Sequence, residues 1–148
     1  MSQEKIMPNP NPVSFIIDMA KQTKPDWDKI DQSIISLKDY NSNEVADNLF
    51  ILADPSSASI MDAVASSFNA INLSEEGRVN KAIDLLSPVC LSIDDEFTYA
   101  SGRSALFLNK FKKRGEVASI LDQFRLNVEK LNKREELIEN IPNIEFIL

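Results

Sequence analysis

The chain has 148 residues, 43% of them apolar, and its 16 Lys and Arg against 23 Asp and Glu leave a formal net charge of −7. A chain of this length can bury a sizeable core. It has no histidine, one cysteine and three glycines. These counts exclude a histidine-based catalytic triad, a disulfide framework, a cysteine-rich metal site and a glycine-rich phosphate loop. We therefore expect no catalytic residue, metal ligand, cofactor or small-molecule substrate, and a protein that is not an enzyme.

The first residues carry alternating prolines and asparagines and no apolar core of a signal peptide. The longest apolar run inside the chain, 49–53, is far shorter than the ~18 residues that span a bilayer. We expect a cytoplasmic protein that makes no membrane contact. Because proline disfavours helix for the residue before it, residues 1–12 are predicted to be a flexible arm, and 13–148 a single all-helical domain.

Beyond this arm the apolar residues recur at helical spacing. The first predicted helix covers 13–20. The second starts at Thr23-Lys-Pro-Asp26, with Thr23 as its cap, and should bury Trp27, Ile30, Ile34 and Leu37. A third helix covers 45–52.

From residue 54 onward, capping sequences and prolines delimit five further helices. The fourth starts at Asp54-Pro55 and buries a stripe made of Ile60, Met61, Val64, Ala65, Phe68 and Ile71. The fifth opens at 74–77 and is interrupted at Ser87-Pro88. The sixth covers 94–111, with three acids in its first turn and Gly115 after its end. The seventh and eighth cover 116–131 and 134–141, and 143–148 could dock as an extended tail.

No segment shows the pattern of a strand followed by a tight hairpin turn, so the fold is predicted to be all-α. Helices of similar length with short linkers favour antiparallel hairpins, here near 24–53, 55–87 and 94–131. Their spacing of roughly 35 residues is typical of a solenoid. The two alternatives are a HEAT-like solenoid and an irregular helical bundle, with about seven or eight helices.

One segment resembles a HEAT-type repeat. It reads DEFTYASGRSAL over 95–106, followed by EVASIL over 116–121. In this pattern an acidic helix start precedes small residues, here Gly102 and Ala105, which let a neighbouring helix approach closely. The segment departs from the pattern at Tyr99, where HEAT repeats often carry arginine.

Charge is distributed unevenly along the chain. Residues 39–77 contain seven acids and no Lys or Arg, and residues 1–100 carry 16 acidic and 7 basic side chains. A stretch of one sign predicts a surface that attracts a cationic partner, and compositional drift in an acidic protein is the alternative. Candidate partner-binding residues are the acids and tyrosines near helix ends and on this stretch: Asp39, Tyr40, Glu44, Asp47, Asp62, Asp94, Asp95, Glu96 and Tyr99.

Two other features favour structural interpretations. Cys90 has apolar neighbours and no adjacent base, which predicts a buried, inert thiol. The basic cluster over 110–114 is interpreted as the solvated end of a helix, because an acidic chain is a poor nucleic-acid binder.

Small, acidic, all-helical proteins without catalytic motifs resemble bacterial immunity proteins, including HEAT-like partners of contact-dependent growth inhibition toxins. The resemblance implies a protein that binds and neutralises a cognate toxin, a cationic nuclease for example, by covering its active site. An acidic surface suits this role because a nuclease needs a positive cleft for phosphate. The alternative function is a helical adaptor or chaperone that binds a peptide or helix in a groove.

Overall fold

The computed structural model describes residues 11–148. Over these residues it contains eight α-helices and no β-strand, which confirms the predicted all-α fold. No helix in this range is long and apolar enough to cross a bilayer. The helices are α1 (Pro12–Ala20), α2 (Trp27–Ile35), α3 (Ser42–Leu52), α4 (Ala58–Ala70), α5 (Glu76–Leu91), α6 (Thr98–Asn109), α7 (Gly115–Lys130) and α8 (Arg134–Asn140), with two short 3₁₀ helices at Ser36–Asp39 and Ile144–Phe146.

The predicted arm lies outside the described residues, except for its last two. Pro12 is the first residue of α1, and Asn11 is its N-cap. The Asn11 carboxamide oxygen accepts a hydrogen bond from the Val13 N–H at 2.8 Å, and its nitrogen donates to Asn48 Oδ1 at 2.9 Å. Residues 11 and 12 therefore belong to the start of a helix, because this asparagine caps α1, and the rest of the predicted arm stays a prediction.

The chain divides into two compact units, one ending at Ala82 and the other running from Ile83 to Leu148, and α5 crosses the boundary. In the first unit α1 packs against α2, α3 and α4, and α2 also packs against α4. Helix α1 lies at the centre of this packing and is apolar on most of its surface. Four of its side chains are fully buried: Val13, Ile16, Ile17 and Ala20. A short helix surrounded by three others corresponds to the bundle alternative in this unit. The single domain over 13–148 stays a prediction.

In the second unit α6 packs against α7 and α8, and α8 packs against the second 3₁₀ helix. The pairing of α6 with α7 agrees with the predicted hairpin near 94–131. A Cβ atom on Gly102 would lie 2.7 Å from Ile141 Cδ1 and 2.9 Å from Leu137 Cδ2. The small residue of the HEAT-like pattern thus makes room for α8 and the residue after it.

The buried stripes predicted for the second and fourth helices are confirmed with one exception. All six residues predicted for the fourth helix, the last of them the C-cap Ile71, are at most 5% exposed, as are Ile30, Ile34 and Leu37. Trp27, predicted in the same stripe, is half-buried at the first position of α2. Cys90 is fully buried, and this burial raises the pKa of its thiol to about 12.

Three helices begin later than predicted, and in two of them the cap is a side chain closer to the helix. Asp26, and not Thr23, caps α2 by accepting from the Lys29 N–H. Ser57 caps α4, while Asp54 accepts hydrogen bonds from both the N–H and the hydroxyl of Ser56 in the preceding turn.

The third late start concerns the acidic residues before α6. The Asp94 carboxylate accepts from the Phe97 N–H at 2.8 Å and closes a turn. The helix then begins at Thr98. Asp94, Asp95 and Glu96 therefore precede the helix and do not form its first turn.

Pro88 does not interrupt α5, which continues to Leu91. The helix persists because Val89 and Cys90 after the proline are buried at 3% and 0% exposure.

Two further expectations at the end of the chain are wrong. Gly115 is the first residue of α7 and does not follow α6 in a left-handed conformation. The segment after α8 is not extended, since Asn143 turns the chain with φ of 70° and a 3₁₀ helix follows. Burial of Ile144 and Ile147 favours this turn over an extended tail.

Candidate functional site

The predicted partner-binding residues fall into two groups, one in each unit. Asp39, Tyr40, Glu44, Asp47 and Asp62 belong to the first unit; Asp94, Asp95, Glu96 and Tyr99 belong to the second.

One side of α3 combines acidic and apolar residues in solvent. Glu44, Asp47 and Ile51 are three and four residues apart, which places them on one side of the helix. Asp47 is exposed, Glu44 is half-buried, and Ile51 is 79% exposed. We call these three residues the α3 face. The opposite side of the helix carries the fully buried residues Val45, Ala46 and Leu49.

Local capping sets the orientation of this face. The carboxamide of Asn41 accepts from the Glu44 N–H at 3.0 Å and starts α3. Asp39 ends the preceding 3₁₀ helix, and Tyr40 follows directly. These two predicted residues therefore lie beside the start of the α3 face.

Arg78 on α5 forms a bidentate ion pair with Asp47. Its Nε lies 2.8 Å from Asp47 Oδ1, and its Nη2 lies 2.9 Å from Oδ2. These hydrogen bonds keep the pKa of the Asp47 carboxyl below its usual value and raise that of Arg78. Arg78 also contacts Glu75, whose carboxylate accepts from the Gly77 and Arg78 N–H groups. The stretch without Lys or Arg is thus partly neutralised by a cation that follows it.

A second cation lies close to the same helix. The ammonium of Lys81 is 4.6 Å from the centre of the Phe50 ring, a cation–π distance. Its charge also helps to lower the pKa of Asp47. On the α3 face Asp47 is thus oriented by α5, whereas Glu44 forms no ion pair among residues 11–148 and Ile51 is 79% exposed.

Burial of Asp62 disfavours its prediction as a partner-binding residue. It is only 7% exposed, because α4 is buried on nearly all of its sides. Ser59 and Ser66 lie three and four residues from Asp62, so helix periodicity predicts a polar side here and does not signal the burial of Asp62.

In the second unit two of the predicted residues, Asp95 and Tyr99, contact the start of α8. Lys133 lies 2.7 Å from Asp95 and 3.5 Å from Glu136, and the Tyr99 hydroxyl is 3.4 Å from Glu136. The hydrogen bond with Lys133 lowers the pKa of Asp95 and raises that of Lys133. These contacts join the turn before α6 to α8, so we interpret Asp95 and Tyr99 as structural. Glu136 and Lys133 were not predicted, because their partners lie 37 and 38 residues away along the chain.

Among the residues that the structure describes, no three Asp, Glu or Cys side chains are close enough to hold a metal ion. The α3 face, which places an exposed apolar side chain beside acids, is a candidate contact surface. No family model, curated protein or solved structure matches the chain.

Proposed function

We propose that this chain is an immunity-type inhibitor that binds a cationic bacterial toxin of the nuclease class through the α3 face. The observation that carries the proposal is Ile51, which is 79% exposed on the same side of the helix as Glu44 and Asp47. Protein interfaces typically place apolar anchors in a centre that is surrounded by polar and charged groups. The α3 face has this composition.

Electrostatics supports a cationic partner. A nuclease that binds phosphate has a positive cleft, and the chain approaches it with a net charge of −7. Long-range attraction of this kind raises association rates more than it raises final affinity. We assign this steering role to Glu44 and the anchoring role to Ile51.

The test begins with recovery of the dominant partner from the native host, followed by surface plasmon resonance at two salt concentrations. Ile51→Ala should increase the dissociation rate about 10-fold, because the anchor is lost. Glu44→Lys should slow association several-fold at low salt, with a smaller difference at high salt. Asp47 is left unchanged, since its removal would also release Arg78.

Two matched variants in the second unit serve as controls. Phe146→Ala removes an 80% exposed apolar side chain, and Glu135→Lys reverses an exposed charge on α8. Both should bind the partner as the unmodified chain does. If the controls weaken binding and the α3 variants do not, the proposed surface is wrong; if the recovered partner is not cationic, the proposed function is wrong.

The alternative function, an adaptor for a peptide or helix, is favoured by one observation on α7. Leu126 is 59% exposed in a shallow groove on this helix, lined also by Gln123, Asn127, Glu129 and Lys130. An adaptor should bind several apolar segments weakly, and Leu126→Ala should weaken all of them. Tight binding of a single partner that Leu126→Ala does not weaken would favour the immunity function.

A further inference from the structure

The second unit contains a small cavity beside the C-terminal end of α7. Its volume is about 240 Å³. The loop between α7 and α8 and the last residue of the chain complete its wall. The lining residues are Arg125, Val128, Glu129, Asn132, Arg134 and Leu148.

Arg125 is fixed in the wall by two contacts. Its Nε donates to the carbonyl oxygen of Ile147 at 2.6 Å, and its Nη1 lies 2.9 Å from Asp122 Oδ1. The second terminal nitrogen of the guanidinium, Nη2, makes no hydrogen bond within the described part of the chain. A guanidinium held on two sides can bind an anion with little loss of side-chain entropy.

Two side chains of opposite charge in the lining form no ion pair within the described part of the unit. Glu129 and Arg134 both line the cavity. Among residues 11–148, neither side chain forms an ion pair with the other or with a third residue. The cavity therefore presents a carboxylate and a guanidinium that are separate from each other.

The remaining lining residues divide into a polar and an apolar part. Asn132 turns the chain after α7 with φ of 56°, a left-handed conformation that asparagine tolerates well. Its carboxamide can both donate and accept hydrogen bonds. Val128 is only 2% exposed, and Leu148 is half-buried, so they provide apolar wall.

We propose that this cavity binds a small zwitterion, namely a free α-amino acid with an apolar side chain. Its carboxylate would bind Arg134 and the free Nη2 of Arg125, its ammonium group would bind Glu129, and its side chain would contact Val128 and Leu148. A simple anion would meet Glu129 unfavourably, and a simple cation would meet two guanidinium groups. A zwitterion satisfies charges of both signs.

The size of the cavity agrees with this class of ligand. The cavity volume of about 240 Å³ is many times the ~10–15 Å³ that a single water molecule needs. Pockets for drug-sized ligands are larger, about 300–1,000 Å³. The site is independent of the toxin-binding proposal, because none of its residues belongs to the α3 face.

The test is a titration of the isotope-labelled full chain with L-leucine at about pH 7, followed by amide chemical shifts in NMR. We expect saturable shifts confined to residues near 125–134 and 147–148. Two analogues test the two charges: N-acetyl-L-leucine lacks the ammonium group, and L-leucinamide lacks the carboxylate. Each should bind at least ~10-fold more weakly.

Variants assign the charges to residues. Glu129→Gln and Arg134→Gln should each weaken leucine binding ~10-fold or more, and Glu135→Gln, an exposed residue of α8 outside the lining, should not. Circular dichroism verifies that each variant is folded. The proposal is overturned if neither leucine nor valine gives saturable shifts, if N-acetyl-L-leucine binds as well as leucine, or if both variants bind normally.

Discussion

Replacing Gly102 with alanine should destabilise the protein, although alanine is the better helix former. The new methyl group would lie 2.7 Å from Ile141 Cδ1 and 2.9 Å from Leu137 Cδ2, and these two residues are 1% and 0% exposed. Overpacking of this kind costs about 1–3 kcal/mol, and the gain in helix propensity is about 1 kcal/mol. Because the atoms that collide are the ends of side chains, we expect a net loss of about 1 kcal/mol. For a chain of this size the melting temperature should then fall by about 2–4 °C.

A double-mutant cycle isolates the collision itself. Ile141→Val removes the Cδ1 atom that lies closest to the new methyl group. Urea unfolding followed by circular dichroism should show that the two changes together cost at least ~0.5 kcal/mol less than their sum. Gly115→Ala is the matched control, since a Cβ atom there has nothing within 4 Å. Our reasoning is refuted if Gly102→Ala stabilises the protein and the two changes are additive.

Three further predictions concern a cap, an ion pair and the thiol. Asn11→Ala should lower the free energy of unfolding by ~0.5–2 kcal/mol, because it removes the cap of α1 and the bond to Asn48; an unchanged urea midpoint would contradict this. The lowered pKa of Asp47 means that its ion pair with Arg78 contributes fully above pH 3.8 and is lost as the pH falls below that value. Asp47→Asn should therefore lower the free energy of unfolding by less than ~1 kcal/mol at about pH 6, because the side chains of Asp47 and Arg78 are 51% and 33% exposed. At about pH 3 the loss should be smaller still. Equal losses in urea titrations at the two pH values would contradict the role of this ion pair. Cys90, with a thiol pKa of about 12, should not react with a thiol reagent at about pH 8 until the protein is unfolded, and rapid modification of the native protein would show that it is accessible.

Periodicity predicts the core well because burial follows helix geometry directly. The six apolar positions predicted for the fourth helix, the last of them the C-cap Ile71, recur at three- and four-residue spacing, and all six are buried. Helix ends are harder to predict, since several residues compete as caps within one turn. Asp54 and Ser57 could each begin α4, and only the fold decides that Asp54 binds Ser56 instead.

The candidate site could be predicted only in part. Glu44 and Asp47 stand out in the sequence as acids without neighbouring cations. Arg78 is 31 residues from Asp47 along the chain, and no local pattern indicates that they meet. The cavity in the second unit could not be predicted from the sequence either, because its wall combines residues near 125–134 with Leu148. Counting charges along a sequence therefore does not determine the charge of a surface.

The exposure of Ile51, in contrast, follows from helix geometry. Residues 49–53 form an unbroken apolar run, and residues two apart in a helix point in different directions. With Leu49 fully buried against the core, Ile51 has to face away from it, and it is 79% exposed. Such a side chain contributes little to folding, so Ile51→Ala should change the free energy of unfolding by no more than ~0.5 kcal/mol. Any loss of binding in this variant can then be assigned to the contact surface and not to unfolding. A large loss of stability in thermal unfolding would instead show that Ile51 is buried, and the α3 face would no longer be a candidate.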